Sequence, residues 1–297
     1  MGLVGFYALL YNPFMQVSVI IVNYNTKELI LNCLKSIYEK TSDIDFEVIV
    51  VDNASSDASC EAIAQEFPQV KLIKSVVNLG FGRANNLGIS NSEAEYVFLL
   101  NPDTVLINNA IKILYDSITF TPNCGVMGGN LFDENMMSVH SFGYLLSLSR
   151  YILRIFGFRY LLKNRKNDQN RNEFQKVEQI IGADMMISRH VLDDVGGFDE
   201  RFFLYLEESE LQYRIQKNGY DIYYTPEAHI HHFEGGVTKK NKPFKRQMIA
   251  QSEYLYLTLS TNVPKFLLRL VCSLPLFYRL FISPVYALRA LKYIWTT

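Results

Sequence analysis

The stretch VSVIIVNYNT, residues 17–26, decides the fold. Five of its first six residues, all but Ser18, are apolar and β-branched, the composition of a strand buried on both faces of an α/β sheet. The polar turn Asn23-Tyr24-Asn25-Thr26 follows, and Leu29, Leu31, Leu34 and Ile37 then recur at helical spacing, with Thr26 as N-cap. The same unit recurs downstream. EVIVV at 47–51 stops at Asp52-Asn53-Ala54-Ser55-Ser56-Asp57 before a helical run to Phe67, and VKLI at 70–73 leads into NLGFGRANNLG at 78–88. YVFLL at 96–100 ends at Asn101-Pro102-Asp103-Thr104. This alternation of strand, polar loop and helix predicts a doubly wound α/β sheet whose ligand groups gather at the carboxyl ends of the strands.

The second half is less regular. Residues 144–162 are apolar and aromatic but carry Arg150, Arg154 and Arg159, and 163–176 is almost wholly polar, so the pair reads as an amphipathic excursion followed by a mobile loop. Order returns at IIGADMMI (180–187), VGGFD (195–199) and FFLYLEESEL (202–211), the last opening a helix closed by Gly219. A short strand at 221–224 precedes Pro226 and the cluster His229, His231 and His232.

Composition narrows the class. The chain has 297 residues, 49% of them hydrophobic and 20% charged, enough to bury a large core. A net charge of -1 excludes a chain built throughout to coat nucleic acid. The average hides an asymmetry: from Gly235 onward ten basic residues face the single acid Glu253, a net +9, leaving -10 for the rest. Cys33, Cys60, Cys124 and Cys272 are scattered, with neither disulfide framework nor zinc-knuckle spacing, which suits a reducing compartment. Residues 1–15 lack the positive n-region of a signal peptide, and Phe6 counts against myristoylation. They read as a dispensable extension or a start assigned upstream of Met15.

Residues 239–297 form a basic, apolar tail. The run 266–282 is long enough for a short span, but each Arg near a bilayer centre costs roughly 2.5–3.5 kcal/mol, and Arg269 and Arg279 both fall within it. Pro275 and Pro284 are expected to break the tail into short helices. Lys265 and Arg269 share one helix face, as do Arg289 and Lys292, the pattern of helices lying in the plane of an anionic leaflet; a soluble bundle or an oligomer contact is the other reading.

Several side chains could carry chemistry. Asp52 and Asp103 stand at strand ends, where a carboxylate either caps the next helix or holds a hard cation beside phosphate oxygens. The three glycines and paired amides of 78–88 suit close approach to a nucleotide, or an ordinary loop. Glu207, Glu208 and Glu210 sit in an aromatic stretch, with Glu207 and Glu210 on one helix face. They either favour a helix N-terminus or, with proton affinity raised by apolar surroundings, act as general bases. The histidine cluster suits a metal or a phosphate.

In order along the chain, VSVIIVNYN, VIVVDNASSD, NLGFGRANNLG, FLLNPDT, the GAD segment, VGGFDERFFLYLEESEL and the proline–histidine segment resemble family 2 glycosyltransferases of the rhamnosyltransferase type, which act on bacterial surface polysaccharides. The resemblance covers 16–238. It implies a GT-A fold (a Rossmann-like mixed sheet flanked by helices), a nucleotide-diphosphate sugar donor, a divalent metal (Mg²⁺ or Mn²⁺), and inversion at the anomeric carbon by single displacement. By resemblance, Asp52 contacts the pyrimidine base with Asn25 and Asn53 beside it, and Asn85 and Asn86 line the nucleotide sugar. Asp103 matches the last acid of the metal-binding DxD element, whose first acid is here Asn101. His232 matches the histidine near metal and diphosphate, with His231 in near register. Glu208 aligns with the catalytic base, and Glu207 and Glu210 with acceptor binding or loop positioning.

The base segment departs from the family's usual Glu-Asp-x-Asp, since Glu208 and Glu210 stand where Asp is usual. One methylene moves a carboxylate by about 1.5 Å, a displacement that can cost about a hundredfold. Either the acceptor hydroxyl sits farther out, or activity is weak, or Glu207 takes part. The resemblance implies dTDP-rhamnose or a UDP-sugar as donor and a glycan or lipid-linked glycan as acceptor. With the basic tail it predicts a cytoplasmic protein, peripheral on the inner face of the cell membrane. A catalytically weak or inactive nucleotide-sugar-binding scaffold is the alternative.

Overall fold

The computed structural model describes residues 15–158, 171–233 and 242–297. The extension up to residue 14, most of the polar stretch 163–176 and the boundary at 238/239 lie outside them. The first half follows the pattern read from its strands: β1 (Val17–Asn23), α1 (Lys27–Lys40), β2 (Phe46–Asp52), α2 (Ser59–Glu66), β3 (Lys71–Lys74), α3 (Phe81–Ser90) and β4 (Tyr96–Leu100). All seven residues of β1 are buried, as expected of a strand covered on both faces. These four strands are parallel in the order β3-β2-β1-β4, with Asn23 level with Asp52 and Ile21 with Leu100, so their carboxyl ends form one rim.

The sheet continues through β5 (Thr104–Leu106), α4 (Ala110–Phe120), β6 (Cys124–Phe132), β7 (Phe142–Gly143), α5 (Leu148–Ile155), β8 (Gln175–Val177), β9 (Gln179–Ile180), β10 (Asp184–Ser188), α6 (Arg189–Val195), α7 (Glu207–Lys217) and β11 (Asp221–His232). Beyond β4 the order is β10-β6-β11-β5, with β10 antiparallel to β4 and β6, and β5 antiparallel to β11. The sheet is therefore mixed. One face packs under α1 and α4 through Ile30, Leu34, Ile37, Ile111 and Leu114. The other packs under α6 and α7 through Val191, Leu192, Leu211 and Ile215.

Four local expectations are corrected. The stretch 78–88 is a loop only to Gly80 and a helix from Phe81, so Asn85 and Asn86 are helical. Strand β11 does not stop at Tyr224: it pairs with β6 on both sides of an irregularity between Tyr224 and His229, and Pro226 falls in that irregularity, where no ladder donor is needed. The three histidines are thus strand residues. Thr26 precedes α1 without capping it, because its hydroxyl donates to Asn23 Oδ1 at 2.7 Å instead. In the tail, α8 (Lys242–Ser260) is followed by α9 (Lys265–Arg279), which runs through Pro275, and α10 (Pro284–Thr296), which begins with a proline. Proline is well tolerated at that first position, and α9 accommodates its own because packing holds the flanking turns.

The tail is also more integrated than a string of separate surface helices. Leu257, Leu268, Cys272, Leu276, Ala290 and Ile294 form a core between α8, α9 and α10, closed by Tyr151 of α5. Helix α8 reaches the sheet domain directly: Leu255 and Tyr256 pack on Phe202, and Ser252 donates to the Leu204 carbonyl at 2.9 Å.

Candidate active site

The rim at the ends of β1 and β2 is closed by its own hydrogen bonds. Asn23 Nδ2 donates to Asp52 Oδ1 at 2.8 Å and to Ser55 Oγ at 3.1 Å, while Ser55 N–H donates to Asp52 Oδ2 at 3.0 Å. Asp52 is 2% exposed, so it forms the floor of the rim. Asn25 Oδ1 accepts from Ser56 N–H at 2.7 Å, tying the two loops together. Asn53 accepts from Leu79 N–H at 2.7 Å and donates to Asn78 Oδ1 and the Gly80 carbonyl, both at 3.1 Å, which fixes the third loop. Asn25, Ala54 and Ala58 all have positive φ, backbone strain that persists because this network over-determines the loops.

The glycines of α3 serve packing. Gly80 has φ +82°, and a Cβ there would fall 2.4 Å from the Phe203 carbonyl oxygen, which accepts from Phe81 N–H at 2.9 Å. Gly82 lies against Phe198 and the Glu207 side chain. Asn85 is buried and donates to Phe81 O at 3.1 Å within its own helix. Asn86 uses both ends of its amide on Phe198, accepting from its N–H at 2.8 Å and donating to its carbonyl at 2.9 Å. Asn86 thereby holds the 197–199 turn to α3.

Past β4, the turn Asn101-Pro102-Asp103-Thr104 is set by the Thr104 hydroxyl donating to Asn101 O at 2.7 Å. Pairing of β5 with β11 puts Thr104 opposite His232 and so brings Asp103 Oδ1 to 3.4 Å from His232 Nε2. His231 faces away from that pair: its ring lies 4.1 Å from that of Phe233, and its buried Nε2 has no partner. The Asn101 side-chain amide makes no hydrogen bond among the described residues, and its backbone N–H donates to Ala183 O at 3.0 Å.

That last bond links the turn to the acidic helix. Leu206, the residue before α7, is left-handed, as is Tyr205, and the chain turns there to start α7 at Glu207. Gln212 clamps the helix down. It accepts from Ile180 N–H at 2.7 Å and donates to Ile180 O at 2.9 Å, fully buried. The clamp sets Glu208 over Gly182, where a Cβ would come within 3.2 Å of Glu208 Cγ. Glu208 is half-buried, and burial raises its carboxyl above the ordinary glutamate range. Glu207 is 3% exposed with Oε2 unpartnered; burial first, and the charge of Glu208 second, push it well above that range. Glu210 is a structural acid. Its carboxylate takes two bonds from Arg214, at 2.7 and 2.8 Å, and Arg214 braces the carbonyls of Val195 and Gly197.

Asn25, Asp52 and Asn53 therefore share one rim. Asn101, Asp103 and His232 form a second group, joined through Ala183 and Gly182 to Glu207 and Glu208. Sequence reading missed Gln212, Gly182 and Asp184. Asp184 is fully buried, with Oδ2 accepting from Gly129 N–H at 2.6 Å and Oδ1 unpartnered, and burial raises its carboxyl well above the usual range. A charged residue inside IIGADMMI was the available signal.

Known proteins similar to this chain bear on its family and fold. The chain is 27% identical over 226 residues to the N-acetylglucosaminyl-diphospho-decaprenol L-rhamnosyltransferase of Mycobacterium tuberculosis, covering 71% of this chain and 74% of that protein. It is 23% identical over 229 residues to rhamnosyltransferase WbbL of Escherichia coli, covering 73% of this chain and 83% of the relative. Its fold is shared with the mannosyltransferase PcManGT of Pyrobaculum calidifontis, solved with GDP-Man and Mn²⁺, at a TM-score of 0.56 and 20% identity, covering 95% of this chain and 73% of that one. It is also shared with S. aureus TarS 1-349 bound to UDP-GlcNAc, at a TM-score of 0.55 and 16% identity over 87% of this chain and 71% of that one. These neighbours carry the GT-A fold that the motifs imply. The model of glycosyl transferase family 2 matches residues 18–196, more than half of the sequence, and the chain belongs to that family.

Proposed function

We propose that this glycosyltransferase transfers a sugar, rhamnose by analogy with its relatives, from a nucleotide-diphosphate donor to a hydroxyl of a lipid-linked glycan, with inversion. The observation that carries the reading is the placement of Glu208. It is a carboxylate of raised proton affinity set against Gly182, one residue from the Ala183 carbonyl that anchors the Asn-Pro-Asp turn. Gly182 supplies the room that the longer glutamate side chain needs, which favours a working base over an inactive scaffold.

In this reading Asp52, Asn25 and Asn53 shape the pocket for the donor base, and Asn101 offers its free amide to the donor. Glu208 accepts the acceptor's hydroxyl proton as that oxygen attacks the anomeric carbon from the face opposite the leaving group. A new C–O bond forms as the bond to the diphosphate breaks. Asp103 and His232 fit a divalent cation: one carboxylate and one imidazole, both largely buried, leave positions for diphosphate oxygens and water. Such an ion offsets the charge growing on the diphosphate.

Among the described residues no helix is long and apolar enough to cross a membrane. In this reading the lipid-linked acceptor brings the enzyme to the inner membrane face. The deciding experiment is a panel of dTDP-, UDP- and GDP-sugars with Mn²⁺, Mg²⁺ or chelator. Metal-dependent binding of one donor, weakened by Asp103→Asn, and its turnover on a diphosphate-lipid acceptor are expected. Binding without turnover would establish the scaffold, and no binding of any nucleotide would contradict the reading.

A further inference from the structure

Helices α9 and α10 keep an apolar surface that nothing among the described residues covers. Phe266, Leu270, Leu274, Phe277 and Phe281 recur every three or four residues along one face of α9 and the turn beyond it, and Phe281 is 90% exposed. Leu288 and Trp295 extend the surface along α10. Among the described residues, eleven of the twenty exposed large hydrophobic ones fall in these two helices and their link, so the patch is concentrated. Charge identifies its occupant. No acid follows Glu253, while α9 and α10 carry Lys265, Arg269, Arg279, Arg289 and Lys292. A second copy of this face would meet its own positive charge; an anionic leaflet matches both the apolar stripe and the cations.

A narrow notch opens where α9 turns into α10, lined by Arg246 of α8, Arg279, Ser283 and Tyr286. Neither guanidinium has a hydrogen bond or ion pair among the described residues. Glu253, which attracts Arg279, is already held by Arg154 at 2.6 Å. Burial, then the charge of Arg246, lowers the proton affinity of Arg279, against the attraction of Glu253. Helix α10 starts at Pro284 with no side-chain cap, so the positive end of its dipole opens on the same notch.

We propose that α9 and α10 dock the enzyme on an anionic phospholipid leaflet, with the Phe281 face entering the acyl boundary and Arg246 and Arg279 gripping one lipid phosphate. The proposal rests on the reading of a transferase with a membrane-borne acceptor, and it gives that reading a defined contact. Helix α9, fifteen residues long, is too short to span the hydrocarbon core, so it lies in the interface. Since α8 touches both the notch, through Arg246, and Leu204, through Ser252, docking would hold the start of α7 at a fixed height above the lipid.

The test is flotation of the full chain with phosphatidylcholine vesicles, with and without about 30% phosphatidylglycerol. Wild type is expected to float only with the anionic vesicles. The double variant Arg246→Gln/Arg279→Gln should lose about thirtyfold in partitioning, Arg246→Lys/Arg279→Lys should keep most of it, and Phe277→Ser/Phe281→Ser should no longer float with the anionic vesicles. Donor hydrolysis and the melting temperature of each variant, measured in the same preparation, report folding. Equal flotation of wild type and the Gln variant would overturn the phosphate notch. Absence of flotation by an active wild type, or its dimerisation through this face, would overturn the docking surface while leaving the transferase reading intact. Flotation by a chain that turns over no donor would sink the transferase reading alone.

Discussion

The two halves of the sheet treat their polar groups in opposite ways. At the ends of β1, β2 and β3, the carboxylate and amides each have partners: Asp52 takes bonds from Asn23 and Ser55, and Asn53 makes three. Past β4 two buried acids are short of partners, Glu207 with Oε2 and Asp184 with Oδ1 unsatisfied. A saturated network makes a rigid cradle, suited to a ligand recognised the same way each time. An under-satisfied carboxylate holds its proton tightly, which is what a group that must take a proton near neutral pH requires.

The contrast can be broken by mutation. Glu208→Gln should cost about 10²–10⁴-fold in transfer while donor binding stays, and Glu207→Gln should cost only a few-fold; comparable losses would mean that the pair acts as one unit. Gln212→Leu strands the Ile180 N–H and carbonyl in the core and should destabilise by about 2–4 kcal/mol, seen as a lower denaturation midpoint, with transfer falling as α7 loosens. On the saturated side, Asn53→Ala should cost about 1–3 kcal/mol and weaken donor binding while leaving the pH dependence of transfer unchanged.

The smallest effect is expected at Asp184. Its folded-state carboxyl titrates above its unfolded value, so between the two the folded chain holds a proton that the unfolded chain releases, and stability falls as pH rises through that window. Asp184→Asn keeps the acceptor for Gly129 and removes that loss. The melting temperature should gain about 2–4 °C at neutral pH and nothing at acidic pH; a gain at both would contradict the assignment.

The saturated half was also the legible half. Each of its strands is a short apolar run ending in turn residues, and local pattern suffices where every neighbour is parallel and every crossover a helix. The other half hides its strands. β6 reads CGVMGGNLF, poor in strand formers, because Gly128 must clear Ile180 and Gly129 must clear Ala228. Pro226 argues against a strand that nevertheless passes through it at an irregularity. The candidate base was readable only by resemblance. Its supports, Gln212 and Gly182, act through contacts some thirty residues away in sequence that no periodicity shows. In the tail, charge pattern pointed to a surface role, but the shared core of α8, α9 and α10 depends on which faces meet.

The most direct test of the account is the pH dependence of kcat/KM for donor turnover in the wild type, Glu207→Gln and Glu208→Gln. The rate is expected to rise with pH through a midpoint above the ordinary glutamate value of about 4.3, because the base works only when ionised. Glu207→Gln should keep that limb, since Glu208 and not Glu207 takes the proton in this account, and Glu208→Gln should abolish it. A limb that survives in Glu208→Gln and vanishes in Glu207→Gln would assign the proton to the wrong glutamate and contradict the account.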